Sequence, residues 1–357
     1  MSELPRVLVT GASGYIGSNV VAALLAEKKY RVRGTVRDAT NETRTKPLRD
    51  TFPEIELFSA DLNKDDGWKE AVAGCTYVHH TASPFPSRLP SHPDELIRPA
   101  VDGTRRVLEA CVEAGTVKRV VMTSSIATMS TGFVGNEGKP RGHVYTKEDW
   151  TDPEWSRCPP YEAGKTYAEK MAREFVEKLE GEKKFEFVTI HPAGVFGPII
   201  FEPSTSLGLL AVLMKSEFPS VPDLMIPFTD VRDVSKAHVA AMTKGVSGER
   251  YILWTDTLSM RAFARILADE FNPQGYRVPL RNMWKTTLWF AQLVDSRVKM
   301  AYSWIRSYVK YENSQTKEDL GVEPTTAKES AIDTAYSLIE HQVVPKMAGF
   351  KGRENKD

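Results

Sequence analysis

Tyr161 and Lys165 stand four residues apart in Tyr161-Glu162-Ala163-Gly164-Lys165. In a helix that spacing puts them on one face, one turn from each other. A free phenol titrates at about 10, too high for acid–base work at neutral pH. An ammonium one turn away stabilises the phenolate and lowers that value, so the pair could serve as a proton donor and its tuner. By itself a Tyr-x-x-x-Lys spacing is common and mostly structural, and it needs support from elsewhere in the chain. A hydroxyl able to donate to a carbonyl oxygen would complete such a site. Arg119-Val120-Val121-Met122-Thr123-Ser124-Ser125 ends an apolar run with two of them, Ser124 and Ser125. Successive strand residues face opposite ways, so one of the two is expected to react and spacing alone does not choose between them. The plainer role for both is to cap the strand end.

A second constellation opens the chain. The apolar run Val7-Leu8-Val9-Thr10 leads into Gly11, Gly14 and Gly17 at three-residue spacing, and a helical pattern follows. Glycines between a strand and a helix permit a tight turn, backbone approach to a pyrophosphate, and close helix–strand packing. The helix N-terminus then offers unpaired N–H groups and a favourable dipole to an anion. Gly11, Ser13, Gly14, Tyr15, Ile16 and Gly17 are therefore the expected dinucleotide-binding turn. The end of the second strand discriminates between nucleotides, because a carboxylate there suits a ribose 2′-hydroxyl and repels a 2′-phosphate. Val36 holds that position and Arg37 follows it, with Arg44 and Lys46 close behind. A guanidinium can bind a phosphate bidentately, so NADP(H) is expected. Asp38 would instead be the ribose acid if the register were one or two residues off. Asp61 and Leu62, after the third strand, suit contact with adenine.

These residues must be positioned by alternating elements. Strands are expected at 6–10, 31–36, 55–60, 76–81, 119–124 and 185–191, with helices between them, including 95–114 and 161–179. Alternation of this kind predicts βαβ units in a parallel sheet covered on both faces. Right-handed crossovers bring the carboxyl ends of the strands to one edge, where ligands bind. After about Pro192 the regularity fades into a proline-rich stretch, and from about Leu258 the pattern is mostly helical. The expected class is α/β: a Rossmann-like doubly wound parallel sheet with a smaller, mostly helical C-terminal substrate lobe. The dinucleotide-binding domain is assigned to 1–195 with 226–256 returning to it, the substrate lobe to 196–225 and 257–350, and a polar tail to 351–357.

With 47 Lys and Arg against 47 Asp and Glu, the chain has no global charge to draw it to nucleic acid. Its 3 cysteines, Cys75, Cys111 and Cys158, form no CxxC pair, which fits reduced thiols and gives no zinc pattern. The opening Met-Ser-Glu-Leu-Pro lacks the charged-then-apolar pattern of a targeting signal, and no run is long and apolar enough to span a bilayer. A cytoplasmic location is expected. His79 and His80 are adjacent on a strand, face opposite ways and cannot chelate one metal together. They are expected to pack beside the cofactor. His238 is expected to make a structural hydrogen bond, and Arg232 and Asp233 to tie the lobes together. No metal site is expected. Residues 281–310 combine Trp284, Leu288, Trp289, Val298 and Ile305 at helical spacing with Arg281, Lys285, Arg297, Lys299, Arg306 and Lys310. Amphipathic helices packed on the substrate lobe account for that pattern. A peripheral membrane contact is the sharper alternative.

Several segments in order now carry a family resemblance: the Gly11/Gly14/Gly17 loop, Thr35-Val36-Arg37-Asp38, His79-His80-Thr81-Ala82-Ser83-Pro84-Phe85, Thr123-Ser124-Ser125, Tyr161 to Lys165 with Ala168-Glu169, His191-Pro192-Ala193-Gly194-Val195-Phe196-Gly197-Pro198, and Asp230-Val231-Arg232-Asp233-Val234. Together they resemble an extended short-chain dehydrogenase/reductase of the branch containing dihydroflavonol reductase, cinnamoyl-CoA reductase and the yeast methylglyoxal reductases, within the epimerase/dehydratase superfamily. The resemblance spans roughly residues 5–245. It implies Ser125, Tyr161 and Lys165 as the catalytic triad. It also implies NADP(H), with Arg37 and Arg44 at the 2′-phosphate and with Thr81, Ala82 and Pro192, Ala193, Gly194 and Val195 beside the nicotinamide half, while Ser83 and Thr123 are further expected cofactor-binding residues. Phe85, Ser125, Ile126 and Tyr161 would meet the substrate. The family often has Asn where this chain has His191.

The implied activity is reduction of an aldehyde or ketone by NADPH. The same superfamily contains hydroxysteroid dehydrogenases and nucleotide-sugar epimerases and dehydratases. The sugar epimerases normally hold NAD and carry an acid at the second strand, which Val36-Arg37 argues against. A non-catalytic NADP(H) sensor typically lacks the Tyr/Lys pair retained here. The expected partner is a small carbonyl compound, and the sequence leaves the oligomeric state open.

Overall fold

The computed structural model describes residues 3–84, 90–131, 139–140, 142–222, 224–283 and 308–353. Strand β1 (Arg6–Thr10) buries Val7, Leu8 and Val9 completely. Alternation sends Val7 and Val9 into one hydrophobic cluster and Leu8 into another. A strand covered on both faces reads as an unbroken apolar run, which is why β1 looks continuous in sequence.

Six further strands join it: β2 (Arg31–Val36), β3 (Glu56–Ser59), β4 (Tyr77–His80), β5 (Arg119–Thr123), β7 (Glu186–Pro192) and β10 (Arg250–Leu253), while β6 (Val144–Tyr145) lies apart. The order β3-β2-β1-β4-β5-β7-β10 makes a parallel seven-stranded sheet. Helices α1 (Tyr15–Glu27) and α7 (Val231–Thr243) pack together and feed the cluster that holds Val7, Val9 and Val121. On the other face α3 (Trp68–Val72), α4 (Asp94–Ala114) and α5 (Pro160–Glu177) feed the cluster of Leu8, Val120 and Met122. The sheet is therefore doubly wound. Its strand order reverses between β1 and β4, the switch point where ligands of such sheets bind.

The expected strands 6–10 and 31–36 match β1 and β2 at both ends, and the others differ by one or two residues. The ladder of β4 stops at His80 because Thr81 and Ala82 turn over the end of β1. There the Thr81 hydroxyl donates to Thr10 O at 2.5 Å and the Ala82 N–H donates to Thr10 Oγ1 at 3.0 Å.

The second half of the chain divides between the sheets. Within 226–256, α7 and β10 pack on or join the main sheet. Strand β9 (Met225–Asp230) instead pairs with β8 (Gly194–Phe196) and β11 (Asp256–Ser259) in a three-stranded sheet. Helices α6 (Thr205–Met214) and α8 (Met260–Phe271) lie near it, with α9 (Ser314–Leu320) and α10 (Ala327–Glu340) later in the chain. Helix α10 packs on both α6 and α8. Strand β12 (Lys310–Tyr311) pairs with β6. Arg232 donates to Asp333 of α10 at 2.7 Å, and Asp233 accepts from the N–H of Thr325, just before α10, at 2.7 Å, so both residues join α7 to the C-terminal part of the chain. Residues 284–307, most of the basic aromatic segment, lie outside the described residues.

Candidate active site

The turn after β1 is built on backbone approach. Gly11 adopts a φ of 67°, in the left-handed region, and the Gly14 N–H donates to its carbonyl at 2.9 Å. A Cβ on Gly17 would stand 2.2 Å from Gly11 O, so only glycine fits where α1 crosses the turn. The Gly11 N–H donates to Thr35 Oγ1 at 3.0 Å, anchoring the turn on β2. Gly14 is the N-cap of α1, no side chain caps that end, and no acidic residue lies in its first turn. Its amide dipoles are thus left for an anion.

A cavity of about 1450 Å³ opens beside this turn. Gly11, Ser13, Gly14, Tyr15, Ile16, Gly17, Arg37, Arg44, Asp61, Leu62, Thr81, Ala82 and Ser83 line it, as do Thr123, Ser125, Ile126, Tyr161, Lys165, Pro192, Gly194 and Val195. Every expected site residue among the described ones is present; Phe85 lies outside them. Strand β2 ends at Val36, so Arg37 is the first residue beyond it. Asp38 is turned to local work: its Oδ1 accepts from the Thr40 N–H at 2.9 Å and the Thr40 hydroxyl at 2.6 Å. Those two bonds hold the Asp38 carboxyl below its ordinary range. Among the described residues no carboxylate forms an ion pair with Arg37 or Arg44. Both residues line the cavity.

Helix α5 presents Tyr161 and Lys165 on one face, and Lys165 is buried. Its ammonium donates to Thr123 O at 3.1 Å. Burial pushes the Lys165 pKa down to about 8, although the Glu169 carboxylate pulls it up. The two serines part company. Ser124 donates its hydroxyl to Glu169 Oε2 at 2.6 Å, whereas Ser125 Oγ accepts from the Ala127 N–H at 3.1 Å. Both serines line the cavity, but the Ser124 hydrogen is spent on Glu169, whereas an oxygen occupied only as an acceptor, as in Ser125, still has its hydrogen to give.

Below Ser125 lies His191, fully buried, with Nδ1 3.1 Å from Ser125 O and Nε2 2.8 Å from Thr189 Oγ1. A carbonyl only accepts, so the proton sits on Nδ1. Burial holds the ring neutral, with its pKa pushed down to about 3. His80 bridges Thr10 at 2.9 Å and Thr104 at 3.2 Å, and His79 meets His238 at 3.3 Å. His238 in turn bonds Thr123 Oγ1 at 2.8 Å. All three are structural links beneath the sheet edge.

Sequence spacing missed the far wall. Residues 200–206, 224–227 and His341 also line the cavity. Phe201 reaches across to Phe52, with ring centroids 5.7 Å apart and planes perpendicular. A contact over such a sequence separation leaves no periodic mark. The only available signal is the family order of the neighbouring His191-Pro192-Ala193-Gly194 segment.

Residues 7–253 match the NAD dependent epimerase/dehydratase family. The chain belongs to this family. It is similar to dihydroflavonol 4-reductase of Hordeum vulgare, 34% identical over 275 residues, covering 74% of this chain and 75% of that protein. Cinnamoyl-CoA reductase of Medicago truncatula is 35% identical over 271 residues, with 74% of this chain and 80% of the relative covered. Among solved structures, yeast methylglyoxal/isovaleraldehyde reductase complexed with NADPH superposes with a TM-score of 0.78 at 27% identity, over 95% of this chain and 99% of that one. Among the described residues no helix of this family member is long and apolar enough to cross a membrane.

Proposed function

We propose that this epimerase/dehydratase family member is an NADPH-dependent carbonyl reductase that works through Ser125, Tyr161 and Lys165. One observation carries the reading. The three side chains line the same cavity as an uncapped helix N-terminus on a glycine turn and the guanidinium groups of Arg37 and Arg44, which form no ion pair with a carboxylate among the described residues. The glycine cradle and the cations fit a dinucleotide with a 2′-phosphate, and the similar yeast reductase complexed with NADPH supports the same cofactor. NADPH, when bound, supplies a hydride for the carbonyl carbon. Ser125 donates its hydroxyl hydrogen to the carbonyl oxygen and orients it. Tyr161 passes its phenolic proton to that oxygen as negative charge builds there, which yields the alcohol. Lys165, held by Thr123 O, stabilises the phenolate until solvent returns the proton.

The candidate substrates are small α-keto aldehydes and aromatic ketones. Nucleotide-sugar chemistry is less well supported, because Arg37 stands where such sites carry an acid and Asp38 is engaged by Thr40. Cys75 and Cys111 are buried free thiols, in keeping with a reducing, cytoplasmic setting.

The test is NADPH absorbance with a broad carbonyl panel, for wild type and Tyr161→Phe. The wild type should turn over, and the variant should lose about 10²–10⁴-fold in rate while still binding NADPH. Full turnover by Tyr161→Phe would remove the mechanism, and no turnover of any carbonyl by the wild type would remove the activity.

A further inference from the structure

One carboxylate beneath the site is not used by that mechanism. Glu169 follows Lys165 by one turn of α5, and its side chain is 0% exposed. Burying a lone carboxylate is costly, so its partners must account for it. Oε1 accepts from Arg250 Nε at 2.9 Å and from Arg173 Nε at 3.0 Å. Oε2 accepts the Ser124 hydroxyl at 2.6 Å.

The Arg250 guanidinium continues the chain of contacts. It donates to Thr128 Oγ1 at 2.8 Å and to Asp149 O at 2.8 Å, and it stacks on Trp150 with 3.8 Å to the ring centroid. Thr128 then donates to Ser125 O at 2.9 Å. Two routes therefore leave one carboxylate and reach the same turn. One ends on Ser124, beside Ser125 in the chain, and the other ends on the Ser125 carbonyl.

We propose that Glu169 is the positioning residue of the site: it fixes the turn that carries Ser125 and keeps a negative charge facing the Lys165 ammonium. The proposal rests on the Ser125–Tyr161–Lys165 reading above. The groups around this charge are Ser124, Arg173, Arg250 and His191, whose Nε2 lies 3.5 Å from Oε1. Those facing Lys165 are Tyr161 and Glu169 from its own helix, neutral His80 from β4 and the Thr123 carbonyl from β5. Burial penalises the Glu169 carboxylate, but His191, Arg250 and Arg173 around it and the Ser124 hydroxyl outweigh that penalty and hold it well below the ordinary carboxylate range, and its charge offsets part of the burial that discharges Lys165.

Glu169→Gln keeps the shape and removes the charge. We expect kcat to fall about 10-fold to 100-fold through a misplaced Ser125, with NADPH affinity within about twofold of wild type. The alkaline limb of the kcat profile should move to lower pH by about one unit, because Lys165 then loses its proton sooner. Glu169→Asp should restore the position of the limb. Ser124→Ala should slow kcat about 3-fold to 10-fold without moving the limb, since it cuts one hydrogen bond and keeps the charge. A folded Glu169→Gln enzyme with a wild-type rate, or one slowed with its limb unmoved, overturns the proposal. If Glu169→Gln does not fold, wild-type rates in both Glu169→Asp and Ser124→Ala overturn it. Tyr161→Phe is measured alongside. If it retains turnover, the triad reading fails whatever Glu169 does; if it is inactive while Glu169→Gln is unaffected, only the role of Glu169 fails.

Discussion

Lys165 Nζ donates to the carbonyl oxygen of Thr123 at 3.1 Å, tying the helix of Tyr161 to the last residue of β5. Helix and strand are thereby locked in relative position at the sheet edge where Ser125 emerges. The same bond partly compensates a charge that burial disfavours, so structural anchoring and proton chemistry meet in one side chain.

That burial makes Lys165 a liability for stability at neutral pH. Its folded pKa is lowered to about 8 from 10.5, so between those values the unfolded chain binds more protons than the folded one. Stability therefore rises as pH increases through that window, and the penalty below it is about 3 kcal/mol. Lys165→Met should unfold at higher urea than wild type at neutral pH, after allowance for the lost bond to Thr123. The gap should close as pH approaches 10.5. Urea midpoints across pH check this, and a constant gap would contradict it.

The 2′-phosphate assignment rests on Arg37. Arg37→Glu replaces an attractive contact with a repulsive one. NADPH affinity should fall about 10-fold to 100-fold, the loss of a charge-assisted hydrogen bond or more. NADH affinity should stay within about twofold. Titration of each nucleotide against protein fluorescence reads both, and equal losses for the two would remove the assignment.

Ser125 and Ser124 should differ in kind when truncated. Ser125→Ala removes the donor to the carbonyl oxygen, and kcat should drop about 10²–10³-fold with little change in NADPH affinity. Comparison with Ser124→Ala by single-turnover NADPH oxidation separates the two. A larger loss in Ser124→Ala would reverse their roles.

Gly17→Ala tests the phosphate turn. The added methyl would lie 2.2 Å from Gly11 O, a backbone atom that cannot swing aside. The turn must open, so NADPH affinity should fall at least about 10-fold and the melting temperature should fall with it. An NADPH titration and a thermal melt report these, and wild-type values in both would mean that the turn relaxes freely.

Much of this arrangement was legible in the residues alone. The glycine spacing marked the turn after β1, Val36-Arg37 marked the end of β2, and the four-residue interval of Tyr161 and Lys165 put both on one helical face. Each is a local fact, set by helix period, strand alternation or the conformational freedom of glycine. Such features survive in sequence because the residues that make them are neighbours along the chain.

Choosing between Ser124 and Ser125 is another matter. Adjacent hydroxyls are alike in sequence, and strand alternation says only that they diverge. Family resemblance pointed to Ser125, but the physical distinction is a carboxylate 45 residues away that takes the Ser124 hydroxyl. Glu169 itself is held by Arg250, 81 residues further on, and the far wall of the cavity brings His341 to Ile200 O across 141 residues. The chain alone determined which elements form and which chemistry-bearing groups stand at their ends. Only the tertiary structure decided which of those groups is buried, which is already bonded and which still faces the cavity. Those properties depend on desolvation and on partners brought together by packing, and no interval along the sequence encodes them.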